Sequence, residues 1–220
     1  MSSLPPASVP PSGRLTLSWV GKDQALLGTA GGGYEWVSRD DPRVTEVRLL
    51  HESATVGEVS MAASRAPADN LLIVGDSYDA LHSLNRIPEY ASEYRARVKL
   101  VYIDPPFNTG QAFEHYDDAL EHSVWLTMMR DRLLLIRDLL APDGSVWVHL
   151  DDAEMAYCRV LMDEIFGRSA FVATVVWQKK YSRDNRPAIG DVHDYLMVYS
   201  PLGQGWKAVR NRIPRTAAKE

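Results

Sequence analysis

The fold of this chain is decided by the stretch Val98-Lys99-Leu100-Val101-Tyr102-Ile103-Asp104-Pro105-Pro106-Phe107-Asn108-Thr109-Gly110. Its first half is short, apolar and free of helical periodicity, which predicts a buried strand. The two prolines stop strand pairing, and each restricts the residue before it to extended backbone. The pattern therefore predicts a rigid turn at the carboxyl end of a central strand, where open α/β sheets bind their ligands.

The predicted turn carries groups suited to methylation of an amino group on a nucleobase. The exocyclic nitrogen of adenine is a poor nucleophile because its lone pair is delocalised into the ring. The Asp104 carboxylate and the Pro105 carbonyl can accept its two hydrogens and favour a tetrahedral, more nucleophilic nitrogen. The Phe107 ring can stack on a base that has left the duplex. Taken alone, the triplet also fits an ordinary proline-rich turn after a strand.

Four further segments accompany the turn in a fixed order, and together they make the chain resemble a known family. These segments are residues 71–76, 144–151, 162–167 and 175–179. The chain is similar to the modification subunits of type III restriction–modification systems and to related β-class amino-methyltransferases of DNA. In that family Asp-Pro-Pro-Phe/Tyr-Asn-Thr-Gly is the catalytic motif, and here it stands at residues 104–110.

The resemblance implies a site-specific adenine methyltransferase of DNA that uses S-adenosylmethionine as its cofactor. Adenine is the expected base because cytosine amino-methylases of this family usually carry Ser where Asp104 stands. The predicted catalytic residues are Asp104, Pro105, Pro106 and Phe107. The predicted cofactor-binding residues are Asp76, Asn108, Thr109 and Asp151. The expected partners are DNA, a restriction subunit, and a second methylase portion or a homodimer partner.

Two of these acids have a second interpretation from the residues alone. Asp76 follows the apolar stretch 71–74, which predicts a strand next to the one at residue 98, so the acid would face the ribose or amine of the cofactor. It also stands where a helix-capping acid is expected, although Ser77 is an equally good cap. Asp151 likewise either faces the active cleft or caps the following helix.

The carboxyl-terminal part of the chain is basic within an acidic protein. The whole chain has 24 Lys and Arg against 29 Asp and Glu, whereas residues 179–220 have nine against four. Such asymmetry indicates a polyanionic partner at the basic end, although a solvated tail explains it as well. A basic segment with one aromatic residue beside a base-flipping site predicts DNA contacts. The candidates are Lys179, Lys180, Tyr181, Arg183 and Arg186.

The remaining pattern predicts an α/β fold, with a partial Rossmann-like methyltransferase sheet and helices on its faces. Residues 1–13 are expected to be disordered, residues 14–68 to form a small β-rich extension and linker, and residues 69–220 to form the catalytic domain. Spacings of three and four predict helices at residues 121–140 and 153–166. Apolar pieces predict strands at 15–20, 34–37, 71–74, 171–178 and 195–200. Alternation of apolar and polar residues predicts a further strand at 145–150, after a turn at 142–144.

The glycine-rich cofactor segment of the family has no counterpart in these 220 residues. The expectation is therefore an amino-terminal catalytic half with an exposed sheet edge, inactive on its own. Two other functions stay open at this point. One is a non-catalytic remnant or interaction subunit of a split methylase. The other is an RNA or protein amide methyltransferase, which the extent of the resemblance disfavours.

Composition limits the remaining possibilities. The single cysteine, Cys158, excludes an internal disulfide and fits a cytoplasmic protein. No apolar run is long enough to cross a membrane, and no membrane partner is expected. The six histidines lack the spacing of metal ligands, so no metal site is predicted.

Overall fold

A computed structural model describes residues 15–29, 33–57, 70–108, 112–113, 116–117, 121–181 and 192–211. The strands are β1 (Gln24–Gly28), β2 (Tyr34–Ser38), β3 (Val98–Ile103), β4 (Ala112–Phe113), β5 (Tyr116–Asp117), β6 (Leu140–Leu150), β7 (Phe171–Gln178) and β8 (His193–Tyr199). The α-helices are α1 (Pro42–Thr45), α2 (Ser77–Arg86), α3 (Pro88–Tyr94), α4 (His122–Leu139) and α5 (Met155–Phe166), and two 3-10 helices span Arg168–Ala170 and Gly203–Ala208.

The main sheet of the described chain has four strands in the order β3-β6-β8-β7. β3 runs parallel to β6, whereas β8 runs antiparallel to both β6 and β7. Two small antiparallel hairpins, β1-β2 and β4-β5, stand apart from it. The prediction of an α/β fold with a partial sheet and a small β-rich amino-terminal part is confirmed.

One face of the sheet packs against α4 and α5. Val146, Val148 and Leu150 point alternately from β6 into this core and are fully buried, as period-two alternation requires. They meet Trp125 and Leu133 of α4, which are also fully buried. The predicted amphipathic helices are thereby confirmed at nearly the expected bounds. Gly167, with φ of +88°, ends α5 where a residue free of Cβ strain is needed.

β6 begins earlier than the sequence indicates. The turn predicted at 142–144 is instead an irregularity inside β6, where pairing jumps from Val98 with Leu140 to Leu100 with Ser145. A Cβ on Gly144 would lie 2.7 Å from the Val98 carbonyl oxygen. Only glycine allows the two strands to approach so closely at this point.

The prediction that β3 is a buried central strand is wrong for the described sheet. β3 pairs with β6 on one side and is the edge strand of the described residues. Leu100 and Tyr102 are exposed, whereas Val101 and Ile103 pack against the core. Because β3 has one face covered by the core and only one paired neighbour, only alternate residues of β3 are buried. The apolar sequence pattern did not indicate that the strand would be half-exposed.

The strand predicted at residues 71–74 is also absent. This segment has no regular secondary structure and pairs with no strand of the described chain, and Leu72 and Val74 are largely exposed. The predicted strand beside the one at residue 98 is therefore not formed. An apolar run becomes a strand only when a neighbouring strand offers backbone partners, and none of the described residues does so here.

The amino-terminal hairpin is held on α4. The buried guanidinium of Arg130 donates to the carbonyl oxygens of Lys22 and Gln24, the latter at 2.7 Å. The Trp19 indole donates to Thr127 at 2.8 Å. The strand predicted at 34–37 is confirmed as β2, β1 was missed, and residues 15–20 form no strand. The predicted disorder of residues 1–13 lies outside the described residues, and the domain bounds at 14–68 and 69–220 stay predictions.

No helix in the described parts of the chain is long and apolar enough to cross a membrane.

Candidate active site

The turn after β3 presents unsatisfied acceptors. The Asp104 side chain is 60% exposed, and it follows Tyr102 on the face of the sheet that points away from the helical core. Within the described residues the Pro105 carbonyl accepts no hydrogen bond. Phe107 is half-buried and packs at the edge of the core. The predicted catalytic residues are therefore brought together with free lone pairs.

The turn is fixed from the side opposite to these acceptors. The Trp125 indole of α4 donates to the Pro106 carbonyl oxygen at 2.7 Å. Asn108 has φ of +60°, and its amide donates to Glu154 Oε1 at 2.7 Å. Asparagine adopts this left-handed conformation more readily than most residues. Two contacts from separate helical segments thus hold Pro106 and Asn108 on either side of Phe107.

Glu154 is the buried anchor of this support. Its side chain is 3% exposed, and Oε1 also lies 2.9 Å from His122 Nδ1. Its second oxygen, Oε2, has no hydrogen-bond partner in the described chain. Burial, followed by the charge of Glu154, raises the pKa of the Cys158 thiol, so that thiol is neutral and unreactive.

His149 lies beside the acceptors, although sequence reasoning did not select it. Its Nδ1 is 3.7 Å from Asp104 Oδ1 and 3.0 Å from the Tyr102 hydroxyl. The rings of Phe107 and His149 meet edge to face at 5.3 Å. Partial desolvation of the hydroxyl, and next the Asp104 charge, raises the pKa of the largely exposed Tyr102, so this hydroxyl remains a donor. Strand alternation was the missed signal, because it places His149 on the face opposite to Val148.

Asp76 is occupied by local contacts. Its carboxylate accepts from the Tyr78 backbone N–H at 2.7 Å and so caps α2. Both of its oxygens accept from Arg132 Nη2 at 3.0 Å. The capping alternative is therefore what the structure displays, with Asp76 rather than Ser77 as the cap. Cofactor contact by Asp76 stays a prediction.

The other predicted cofactor ligands lie around the same turn or at the end of β6. Asp151 accepts from the Ala153 backbone N–H at 2.9 Å, and burial raises the pKa of its carboxyl group. Asn108 is bound to Glu154, as described above. Thr109 lies outside the described residues. Among the residues that the structure describes, no group of His, Cys, Asp and Glu is arranged to hold a metal ion.

The predicted DNA-binding residues are only partly described. Lys179 Nζ is 2.7 Å from Asp194 Oδ1, and the Asp194 side chain is 6% exposed. Lys180 is exposed, and Tyr181 is fully exposed. Arg183 and Arg186 lie outside the described residues. Their DNA contacts stay predictions, and Lys179 is engaged in an ion pair of the protein itself.

The site combines a free carboxylate, a free carbonyl and an aromatic ring on one rigid turn at the end of a sheet strand. The lone pairs of such an arrangement can accept the hydrogens of an amine that lies next to a planar ring. The family model described as DNA methylase, for N6 and N4 methyltransferases, matches residues 98–219. The chain belongs to this DNA methylase family.

Several longer proteins are similar to the chain. The "Probable type III restriction-modification enzyme HindVI Mod subunit" of Haemophilus influenzae is 45% identical over 149 residues, which cover 66% of this chain and 19% of that protein. The type III restriction-modification enzyme EcoP15I Mod subunit of Escherichia coli is 32% identical, over 84% of this chain and 30% of its own length. The type II methyltransferase M.EcaI of Enterobacter cloacae is 30% identical, over 95% of this chain and 42% of its own length. The chain thus spans well under half of each relative.

Solved structures resemble the chain more weakly. The PvuII DNA methyltransferase (cytosine-N4-specific) is 23% identical with a TM-score of 0.40, covering 58% of this chain and 48% of that protein. M1.HpyAVI in complex with SAM is 14% identical with a TM-score of 0.36, and the match covers 58% of this chain and 53% of that chain.

Proposed function

We propose that this chain is the catalytic portion of a site-specific DNA methyltransferase, which transfers a methyl group from S-adenosylmethionine to the exocyclic amine of a flipped adenine within a restriction–modification system. The observation that carries the proposal is the turn at residues 104–107, with its free carboxylate, free carbonyl and adjacent ring. Membership of the DNA methylase family and similarity to type III Mod subunits support the substrate class.

Different residues of the turn bind the amine and the ring of the base. The Asp104 carboxylate and the Pro105 carbonyl accept the two hydrogens of the amine, which localises the nitrogen lone pair. Phe107 stacks on the base, and such stacking contributes about 1–3 kcal/mol per base. Because Trp125 and Glu154 fix the turn beforehand, orienting these acceptors costs little free energy when the base arrives.

The described residues offer acceptors that suit the cofactor. S-adenosylmethionine supplies an electrophilic methyl group, and its hydroxyl and amino groups need hydrogen-bond acceptors. The Asp76 side chain is 57% exposed, so lone pairs remain available beside its contacts to Tyr78 and Arg132. Asp151 retains one carboxylate oxygen beyond its bond to Ala153. With Asn108 and Thr109, these acids form the proposed cofactor contacts.

DNA contact is proposed for the segment after β7. Lys180 and Tyr181 present a cation and a ring to solvent, and Arg183 and Arg186 follow in the sequence. Phosphate contacts by such residues position a duplex without reading its bases. A DNA contact by Lys179 requires a phosphate to displace Asp194 from the Lys179 ammonium group. The proposed protein partners are a further methylase portion and a restriction subunit.

The proposal is tested by transfer of a tritiated methyl group from S-adenosylmethionine to unmodified DNA. The 220-residue chain is assayed alone and together with the product of the downstream reading frame, and the DNA is then digested for nucleoside mass spectrometry. N6-methyladenine in the combined sample supports the proposal. N4-methylcytosine without methyladenine refutes the choice of base. No transfer in either sample refutes the proposed activity.

The binding of S-adenosylmethionine is measured separately by calorimetry, so that a failure of cofactor binding is distinguished from a failure of transfer. Asp104→Ala serves as the inactive control in the transfer assay.

A further inference from the structure

His149 occupies a position from which it touches the candidate active site without belonging to the recognised turn. It lies on β6, 45 residues after Asp104 in sequence, and its Nδ1 is 3.7 Å from Asp104 Oδ1. The side chain is 17% exposed, so bulk water reaches it only in part. A histidine that fills space needs no such carboxylate neighbour, and this one has two.

The second neighbour, Asp194 of β8, holds the opposite side of the imidazole. His149 Nε2 lies 3.3 Å from Asp194 Oδ2. Asp194 is buried, and Lys179 pairs with its other oxygen at 2.7 Å. This ion pair gives the buried carboxylate the opposite charge that it requires. A carboxylate fixed in this way accepts the Nε2 proton and thereby selects the imidazole tautomer.

The remaining nitrogen, Nδ1, then carries the lone pair that can receive a proton. This lone pair accepts from the Tyr102 hydroxyl at 3.0 Å, so the hydroxyl must turn away before Nδ1 takes a proton from the Asp104 side of the site, where the carboxylate lies 3.7 Å away. A base oriented by a buried acid, and placed next to the reacting group, is the arrangement that general-base catalysis uses.

Methylation of an amine releases one proton that the site must remove. The nitrogen forms a bond to the methyl carbon, the bond from that carbon to sulfur breaks with its electron pair left on sulfur, and the nitrogen becomes positively charged. Loss of one N–H proton restores a neutral amine. Asp104 contacts that proton first, and imidazole is the side chain whose charge changes near neutral pH.

We infer that His149 accepts, by way of Asp104, the proton released from the methylated amine, and that Asp194 is the positioning residue that fixes the His149 tautomer. This inference rests on the proposed function. The titratable and charged groups around His149 are Tyr102 and Asp104 from β3 and its turn, and Asp194 from β8 with Lys179 behind it.

The first test needs no turnover. The full 220-residue chain is labelled with ¹⁵N-histidine, and the His149 signals are assigned by their loss in His149→Gln. Long-range nitrogen–proton spectra are expected to give the Nε2–H tautomer, and Asp194→Ala, which removes the acceptor, is expected to abolish this preference. The Nδ1–H tautomer in the wild-type chain overturns the inference.

The second test uses the methylating assembly. His149→Gln is expected to lower kcat by about 10²-fold, the scale of one general base, with KM for DNA and cofactor unchanged, and to remove the acidic limb of the pH–rate profile. His193→Gln is the matched control, since His193 lies on β8 and bonds to Tyr195 at 2.8 Å. Methylation with an unaltered pH profile in His149→Gln overturns this inference alone.

If wild-type assemblies fail to methylate while the His149 signals give the Nε2–H tautomer, the proposed function and the proton-transfer role are both refuted, and only the tautomer assignment remains.

Discussion

Asp76 and Asp104 both follow apolar stretches of this chain, but the Asp76 carboxylate is hydrogen-bonded within the protein and the Asp104 carboxylate is not. Asp76 caps α2 through Tyr78 N–H and pairs with Arg132 through both oxygens. The Asp104 carboxylate makes no hydrogen bond within the described chain, and His149 Nδ1 lies 3.7 Å from it. The stretch before Asp104 is paired in the sheet, whereas the stretch before Asp76 is not.

The difference shows what makes an acid available for chemistry. At the Asp104 turn, the backbone is held by Trp125 and Glu154, so the acid is not needed to stabilise the turn. At the Asp76 turn no other group caps the helix, so the acid itself does so. An acid at a strand end is thus a candidate site residue when other groups carry the structural role.

The largest expected effect comes from Asp104→Ala. Removing this acceptor is expected to slow methyl transfer by about 10²–10³-fold, the usual effect of losing one electrostatic contact to the reacting group. The fold should survive, because the carboxylate is exposed and makes no hydrogen bond within the described residues. The measurement is the tritium transfer assay with a thermal melt of the same sample. Near-full turnover would remove Asp104 from the mechanism.

Phe107→Ala is expected to weaken capture of the flipped base. A lost stacking contact of about 1–3 kcal/mol corresponds to a rise in KM for DNA of roughly 5- to 150-fold. Phe107→Tyr retains the ring and should bind DNA as the wild type does. Steady-state kinetics on both variants decide the point, and equal KM values for Phe107→Ala and the wild type would contradict a stacking role.

Glu154→Ala tests whether the Asp104 turn depends on its buried support. The change removes one acceptor from the half-buried Asn108 amide and from His122, whose side chain is 44% exposed, and losing such hydrogen bonds costs about 0.5–1.5 kcal/mol each. We expect the free energy of unfolding, measured by denaturant titration, to fall by this amount. Glu154→Gln keeps an acceptor oxygen and should lose less. If the two variants are equally destabilised, the hydrogen bonds are not the source of the support.

The smallest expected effect is that of Asp76→Ala. Loss of a helix cap typically costs about 1 kcal/mol, and the exposed pair with Arg132 adds little in solvent. Asn is as good a cap as Asp, so Asp76→Asn should restore most of the lost stability. Thermal melts of the two variants provide the comparison. A loss in Asp76→Asn as large as that in Asp76→Ala would show that the ion pair matters more than the cap.

Local patterns were sufficient for much of this fold. The turn at Asp104, the helices α4 and α5, and the strands β7 and β8 follow from proline placement and from periods of two and nearly four. Trp125 lies within the helix predicted at 121–140, although its hydrogen bond to Pro106 was not expected. These features depend mainly on residues close together in sequence.

The errors concern contacts between distant residues. Whether residues 71–74 form a strand depends on a neighbour that periodicity does not reveal, and the same holds for the exposed edge of β3. His149 and Glu154 reach the turn from 45 and 46 residues away from Asp104 and Asn108, respectively. Their roles appear only once β3, β6 and α5 are placed side by side.

The bond from the Trp125 indole to the Pro106 carbonyl makes the turn observable by hydrogen exchange. Two consecutive prolines have no amide hydrogens, so backbone deuterium uptake cannot report on the centre of the turn. The Trp125 indole hydrogen is buried and is donated to Pro106 at 2.7 Å. Its exchange with solvent requires the turn to leave α4, and its exchange rate therefore measures how often the turn opens, with or without a bound base.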